Sequence, residues 1–244
     1  MKTAAIIPAR LESSRFPEKL LFPILGKTLI QWTYENAKNC SHVEDVFIAT
    51  DSKKIADHCL GFGAQVLMTD ACENGTERLA KALQKYDFLN QYDLIVNIQG
   101  DHPCLQSSTI SSTISCLESD PEAMVATAVI PLEDLSKIAS PHTVKCVFNQ
   151  QNRALYFSRS TIPFAAKKCY QHLGLYVYRK DFLIKLPSFS STFLQRQEDL
   201  EQLKILELGY IIKITIVEDV DIAIDIPSDV TTLKNLLCQL NTSL

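Results

Sequence analysis

The feature that most constrains this chain is a series of short apolar runs, each separated from the next by a stretch with helical spacing. Ala4-Ala5-Ile6-Ile7, Val46-Phe47-Ile48-Ala49-Thr50 and Leu94-Ile95-Val96-Asn97-Ile98 are nearly continuous in apolar residues, which marks strands covered on both faces. Val66-Leu67-Met68 reads as a further short strand. Between these runs, Leu29, Trp32, Thr33, Ala37 and Cys40 fall on one helical face. Ile55, Ala56, Cys59 and Leu60 do the same, and Leu79, Leu83 and Tyr86 mark a third helix. The alternation predicts an α/β fold with a mainly parallel sheet and helices on both faces. Such sheets bind their ligands beyond the carboxyl ends of the strands. Arg10, Asp51 and Asp101 all fall there.

From about residue 142 the rhythm changes. Thr143-Val144-Lys145-Cys146-Val147-Phe148, Ala154-Leu155-Tyr156-Phe157 and Leu173-Gly174-Leu175-Tyr176-Val177-Tyr178 read as strands with little helix between them. This predicts an antiparallel segment, about 142–200, inserted into a single domain of residues 1–244. A helix at about 197–208, a strand at about 210–217 and a last helix bearing Val230, Leu233, Leu237 and Leu240 complete the expected order.

Composition narrows the function classes. With 244 residues, 46% of them hydrophobic, the chain can bury a full core without staples, and no run reaches the ~18 apolar residues of a membrane span. A net charge of −4 offers no nucleic-acid or anionic-membrane surface. The N-terminal apolar run is broken by Pro8 and Arg10 and is too short for a secretory core of roughly 7–15 residues, so a cytoplasmic protein is expected. Eight cysteines are spaced at least twelve residues apart, with no C-x-x-C. They read as reduced, mostly buried thiols rather than as a zinc site or a disulfide framework.

Several constellations carry chemistry. Pro8-Ala9-Arg10-x-x-Ser13-Ser14-Arg15-x-Pro17-x-Lys19 sets three cations and two hydroxyls just after the first strand, a donor set suited to a polyphosphate. Neither a P-loop nor a G-x-G-x-x-G is present, and Gly61-Phe62-Gly63 follows a helix, as a helix stop does. In Asn97-x-Gln99-Gly100-Asp101-x-Pro103 a glycine at a strand end lets the chain turn and project one carboxylate. Magnesium favours such sites, with phosphates and water completing its shell; a helix cap is the structural alternative. Among Asp219, Asp221, Asp225 and Asp229, Asp225 is the best second carboxylate, although spacing does not choose firmly among them. Asn74-Gly75-Thr76-Glu77-Arg78 opens a helix and could meet a base edge or a phosphate. Arg159, His172, Tyr176, Glu198, Glu201 and Gln202 suit a hydroxylated acid such as a sugar acid, and on one helix Glu198, Glu201 and Gln202 would share a face.

Taken in order, these motifs resemble a known family. Residues 7–19, Ala49-Thr50-Asp51, Asn74 to Arg78, Asn97 to Asp101, Ala154 to Arg159, His172 to Tyr176 and Leu200 to Leu203 are similar to the 3-deoxy-manno-octulosonate (KDO) cytidylyltransferases, or CMP-KDO synthetases. The resemblance runs from residue 4 to about 235. It implies a nucleotide-diphospho-sugar transferase-like α/β fold whose inserted segment, about 142–200, binds sugar and serves dimerisation. It also implies a homodimer and the reaction CTP + KDO → CMP-KDO + diphosphate with Mg²⁺, in lipopolysaccharide biosynthesis. By position, Arg10, Ser14, Arg15 and Lys19 would hold the triphosphate. Asn74, Gly75 and Thr76 would contact cytosine, with Pro8, Ala9 and Arg78 beside them. Asp101 and Asp225 would hold the metal. Gln99, Arg159, His172, Tyr176, Glu201 and Gln202 would bind the sugar. Arg10, Arg15, Lys19, Asp101 and Asp225 would carry the chemistry.

The chain departs from the family pattern at Glu18, where the loop usually has glycine, and at His102, where glutamate usually follows the metal aspartate. It also departs at Ala223-Ile224-Asp225-Ile226-Pro227-Ser228-Asp229, and the stretch from Pro163 to His172 is short. A related sugar acid (8-amino-KDO or sialic acid) and a non-catalytic sugar-nucleotide binding protein are the alternatives to this reading.

Overall fold

Each apolar run becomes a strand whose side chains have no water to face. In the computed structural model, which describes residues 1–12, 16–218, 224, 229–231 and 233–234, the first is β1 (Thr3–Ala9), buried at six of its seven positions. A small hairpin, β2 (Pro23–Ile24) and β3 (Lys27–Thr28), leads into α1 (Leu29–Lys38). Then come β4 (Asp45–Thr50), α2 (Lys53–Gly61), β5 (Gln65–Met68), α3 (Gly75–Lys85) and β6 (Leu94–Ile98). α2 ends where glycine permits it, with Gly63 at φ +83°. Asn74 caps α3, its side chain accepting from Glu77 N at 2.8 Å.

The second half is α4 (Ser107–Glu118), β7 (Ala123–Leu132), α5 (Leu135–Ala139), β8 (Lys145–Phe148), β9 (Ala154–Ser158), β10 (Cys169–Arg179), α6 (Lys180–Lys185), α7 (Phe193–Glu198), α8 (Glu201–Glu207) and β11 (Ile211–Ile216). Neither α4 nor β7 is among the elements expected from apolar spacing. The expected single helix at about 197–208 is two, because Asp199 adopts a left-handed conformation (φ 52°) that breaks it. Glu198 therefore does not share a helical face with Glu201 and Gln202. Residues 229–231 and 233–234 are helical, whereas Leu237, Leu240, Ser14, Arg15, Asp219, Asp221 and Asp225 lie outside the described residues.

The main sheet runs β11-β7-β10-β6-β1-β4-β5. β1 pairs in parallel with β4 and β6, and β4 with β5. The sheet is mainly parallel here, as expected. At β10 it turns antiparallel, since this strand lies between β6 and β7 and opposes both. β8 and β9 branch from it as a further antiparallel pair. Strands from residues 145–179 thus belong to the same sheet as β1. Apolar clusters fill both faces, one around Ile7, Ile48 and Val96 and the other around Ile6, Ile95 and Phe157. Cys40, Cys59, Cys104, Cys146 and Cys169 are free thiols buried in this interior. Among the described residues no helix is long and apolar enough to cross a membrane.

Phe157 is fully buried and meets the His172 ring edge-on at 5.2 Å between centroids. Phe157→Ala is expected to cost about 3–5 kcal/mol, as large-to-small core changes do, measured by urea unfolding.

Candidate active site

The carboxyl ends of β1 and β6 set two loops side by side. Lys19, in the loop after β1, donates from Nζ to Asp101 Oδ2 at 2.6 Å, and both side chains are largely shielded from water. Burial by itself would raise the Asp101 carboxyl; His102, with Nε2 3.8 Å from Asp101 Oδ1, and Lys19 outweigh it, so the pKa lies below the ordinary carboxylate value. The main chain around Asp101 is gripped from α1. Thr33 Oγ1 donates to Gly100 O at 3.0 Å and Asn36 Nδ2 to Pro103 O at 2.5 Å. Asp101 is not a helix cap, since Gln106 precedes α4.

Glu18 accounts for itself in the same loop. It sits at φ +51°, the left-handed region where glycine is easiest. Its carboxylate turns outward to Lys54 Nζ, at 2.6 and 2.7 Å. Its charge is therefore spent on α2 while Lys19, one residue on, faces Asp101.

The start of α3 forms the neighbouring wall. A methyl on Gly75 would lie 3.0 Å from Pro8 Cγ, so glycine lets this helix end approach β1. Arg78 is buried and anchored to Thr69 Oγ1 at 2.7 Å and Asp51 Oδ2 at 3.2 Å. Thr76 Oγ1 donates to Glu201 Oε2 at 2.8 Å, which ties α3 to the start of α8.

The opposite wall comes from β10 and the segments around it. Register between β10 and β7 shifts between His172 and Tyr176. In that bulge, a side chain on Gly174 would lie 3.0 Å from His102 Nε2 and 3.4 Å from Gln99 Cγ. Thr127 Oγ1 donates to Leu175 O at 2.6 Å and sits 2.9 Å from His172 Nε2. With the hydroxyl hydrogen so used, Nε2 is the donor and Nδ1 is left as an acceptor. Burial, then the proximity of His102, pushes the His172 pKa down to about 3, so the ring is neutral. The Tyr176 ring lies 5.3 Å from that of His172. Arg159 spreads its guanidinium over main-chain carbonyls: Nε to Glu198 O at 2.9 Å, NH1 to Pro141 O at 3.2 Å, NH2 to Asp199 O at 3.1 Å. Glu198 turns away from Glu201 to accept from Ser158 Oγ at 2.6 Å and Arg159 N at 2.8 Å.

Between the walls lies a cleft of about 580 Å³. Pro8, Ala9, Arg10, Asn74, Gly75, Arg78, Gln99, Arg159, His172, Tyr176, Glu201 and Gln202 line it. Pro8, Arg10 and Gln99 also line a smaller hollow of about 110 Å³ with Lys19 and Asp101. Thr76 instead borders an adjoining cavity of about 390 Å³, which shares Asn74, Glu201 and Gln202 with the cleft. Arg10 and Lys19 at one end, and hydrogen-bonding groups together with Arg159 and Glu201 at the other, would accept a phosphorylated molecule and a polyhydroxylated acid together.

Comparison with known proteins supplies the family. A family profile described as cytidylyltransferase matches residues 4–219. The chain belongs to the cytidylyltransferase family. It is 46% identical over 247 aligned residues to a 3-deoxy-manno-octulosonate cytidylyltransferase of Protochlamydia amoebophila, covering 98% of this chain and 95% of the relative. To the protein of the same name from Chlamydia pneumoniae it is 42% identical, covering 98% and 94%. A solved structure of CMP:2-keto-3-deoxy-manno-octonic acid synthetase complexed with CTP superposes with a TM-score of 0.92 at 33% identity, over 98% of this chain and 99% of that one.

Sequence reasoning passed over groups that hold this cytidylyltransferase's cleft together without facing it as obvious chemistry. Thr33, Asn36 and Thr127 make their contacts across 45 to 67 residues of chain, Lys145 binds carbonyls 2 to 14 residues away, and no local motif marks them.

The depressed His172 pKa links stability to pH. An unfolded histidine protonates near 6.5, and the folded one resists protonation until about 3. The stabilisation is therefore complete above about pH 6.5 and is lost as pH falls toward 3. His172→Gln should remove about 1 kcal/mol of the stability loss seen between about pH 6 and pH 5, read from urea unfolding at each pH.

Proposed function

We propose that this cytidylyltransferase activates KDO for lipopolysaccharide biosynthesis: CTP + KDO → CMP-KDO + diphosphate. The observation that carries the reading is the single cleft in which Arg10 and Asn74 face Gln99, His172 and Tyr176, in a chain whose relatives bear that name. The anomeric hydroxyl of KDO attacks the α-phosphorus of CTP in line, and the bond from that phosphorus to the bridging oxygen breaks to release diphosphate. Phosphoryl transfer of this kind depends mainly on positioning and electrostatics. Arg10, Arg15 and Lys19 take up the charge of the triphosphate, and Asn74 and the amide end of α3 meet the nucleotide. His172, held neutral, presents Nδ1 to a sugar hydroxyl. Tyr176, Gln99, Glu201 and Gln202 complete the hydroxyl contacts, and Arg159 receives the sugar's carboxylate.

Magnesium fits the donor chemistry at Asp101. Its hard carboxylate oxygen already accepts a cation, the Lys19 ammonium at 2.6 Å. Among the described residues no three His, Cys, Asp or Glu side chains converge as a metal cage. A site with few protein carboxylates suits magnesium, which fills its shell with water and substrate phosphates. Asp101 and Asp225 would hold the ion, which when bound supplies Lewis-acid charge neutralisation at the reacting phosphate. The same reading includes a homodimer in the cytoplasm, and exposed Leu155 and Phe164 provide apolar surface for a second copy.

The test is diphosphate release with CTP and Mg²⁺, offering KDO, 8-amino-KDO and N-acetylneuraminate separately. Release with KDO alone is expected, and Asp101→Ala should lower turnover by about a thousandfold or more with an unchanged far-UV circular dichroism spectrum. Release with a different sugar moves the substrate. Bound CTP with no release from any of the three would make the protein a nucleotide-binding one.

A further inference from the structure

One buried cation has no part in this scheme. Lys145, the first residue of β8, is fully buried. An ammonium has three hydrogens to place, and here they go to main-chain carbonyls: Ser140 O at 2.9 Å, Thr143 O at 2.8 Å, and Arg159 O. Among the described residues, none of its hydrogen bonds goes to a carboxylate. The Glu198 carboxylate acts on it without a hydrogen bond, so the cost of taking the charge out of water is offset only in part, and its carbonyl partners must be held firmly for the arrangement to persist. Burial draws the Lys145 pKa downward, in keeping with that cost.

These carbonyls surround one side chain. The first hydrogen bond fixes Ser140, and the next residue, Pro141, offers its carbonyl to Arg159 NH1. The third fixes the carbonyl of Arg159 itself. The second holds Thr143; the following residue, Val144, lines the cleft and accepts from His172 N at 2.9 Å. A single ammonium thus joins the peptide that carries Arg159 to the turn its guanidinium grips, and to the edge from which His172 hangs.

We propose that Lys145 is a positioning residue for the sugar-acid end of the cleft: it clamps the 140–143 turn to the Arg159 peptide and so aims the Arg159 guanidinium at the substrate carboxylate. The proposal rests on the reading of that end as the sugar-acid site. Lys145 touches no substrate. Arginine cannot replace it, because a planar fork does not point three hydrogens at three converging carbonyls.

The experiment compares steady-state kinetics, with CTP and KDO varied in turn, for the wild type, Lys145→Met, Arg159→Met and the double variant. Lys145→Met should raise KM for KDO about tenfold, the equivalent of one well-aimed charged hydrogen bond, while KM for CTP stays within about twofold. In the Arg159→Met background the same substitution should add less than about twofold, because contacts acting through one group are not additive. A parallel rise in both KM values, or effects that multiply in the double variant, would show a merely structural lysine and overturn the clamp. An unchanged KM for KDO in Lys145→Met would do so as well. Should Lys145→Met fail to fold, Lys145→Gln, which keeps N–H donors without the charge, carries the same comparison. A wild type that turns over another sugar acid but not KDO moves the substrate, and the comparison runs on that acid. A wild type inactive with every acid defeats the sugar-acid reading, and the clamp with it.

Discussion

Everything at this site depends on one strand running the wrong way. β1, β4, β5 and β6 form a parallel sheet whose carboxyl ends could bind a nucleotide by themselves. β10 enters beside β6 in the opposite direction. Parallel neighbours would have carried His172 and Tyr176 to another part of the edge; the antiparallel strand returns them to the end where Gln99 and Asp101 emerge. The bulge at Gly174 makes the approach close enough to share one cleft. The two halves of the chain thereby supply the two walls.

Among the described residues, three ion pairs already hold charges near the β1–β6 end. Lys19 and Asp101 neutralise each other at 2.6 Å, Arg78 is spent on Asp51, and Glu18 on Lys54. Arg10 stands in the cleft wall and in the smaller hollow beside it. Polar main-chain grips from Thr33 and Asn36 fix the Asp101 turn, so the carboxylate is held by backbone as well as by its counter-ions. Preorganisation of this sort matters for phosphoryl transfer, in which the protein supplies geometry and field rather than a covalent partner.

The sequence made much of this legible, for a local reason. A doubly covered strand must be apolar on both faces, so β1, β4 and β6 announce themselves, and residues following them are placed at the ligand edge by the rules of parallel sheets. Which strand neighbours which is not a local property. The partners of Tyr176, Asn97 and Thr127, are 79 and 49 residues away along the chain, and nothing in their own surroundings tells of the pairing. α4 escaped for a different cause: seven of the twelve residues of Ser107–Glu118 are Ser or Thr, residues that compete for main-chain hydrogen bonds and blur the helical signal. Glu198 was misplaced because periodicity assumes an unbroken helix, whereas Asp199 takes a left-handed conformation that L-residues adopt only singly. Lys145 read as one polar residue in a strand. Its importance lies entirely in three carbonyls it meets in the fold.

The hydrogen bond from Thr76 to Glu201 joins the first turn of α3 to the first residue of α8. In the proposed function one helix would border the nucleotide and the other the sugar, so a displacement at either would be transmitted as a pull on the other. Thermodynamics makes such a strut symmetrical: whatever free energy the nucleotide contributes to organising the sugar half, the sugar returns in equal measure to the nucleotide. On that reading the two ligands of this cleft would sense each other through the protein frame, before their reacting atoms meet.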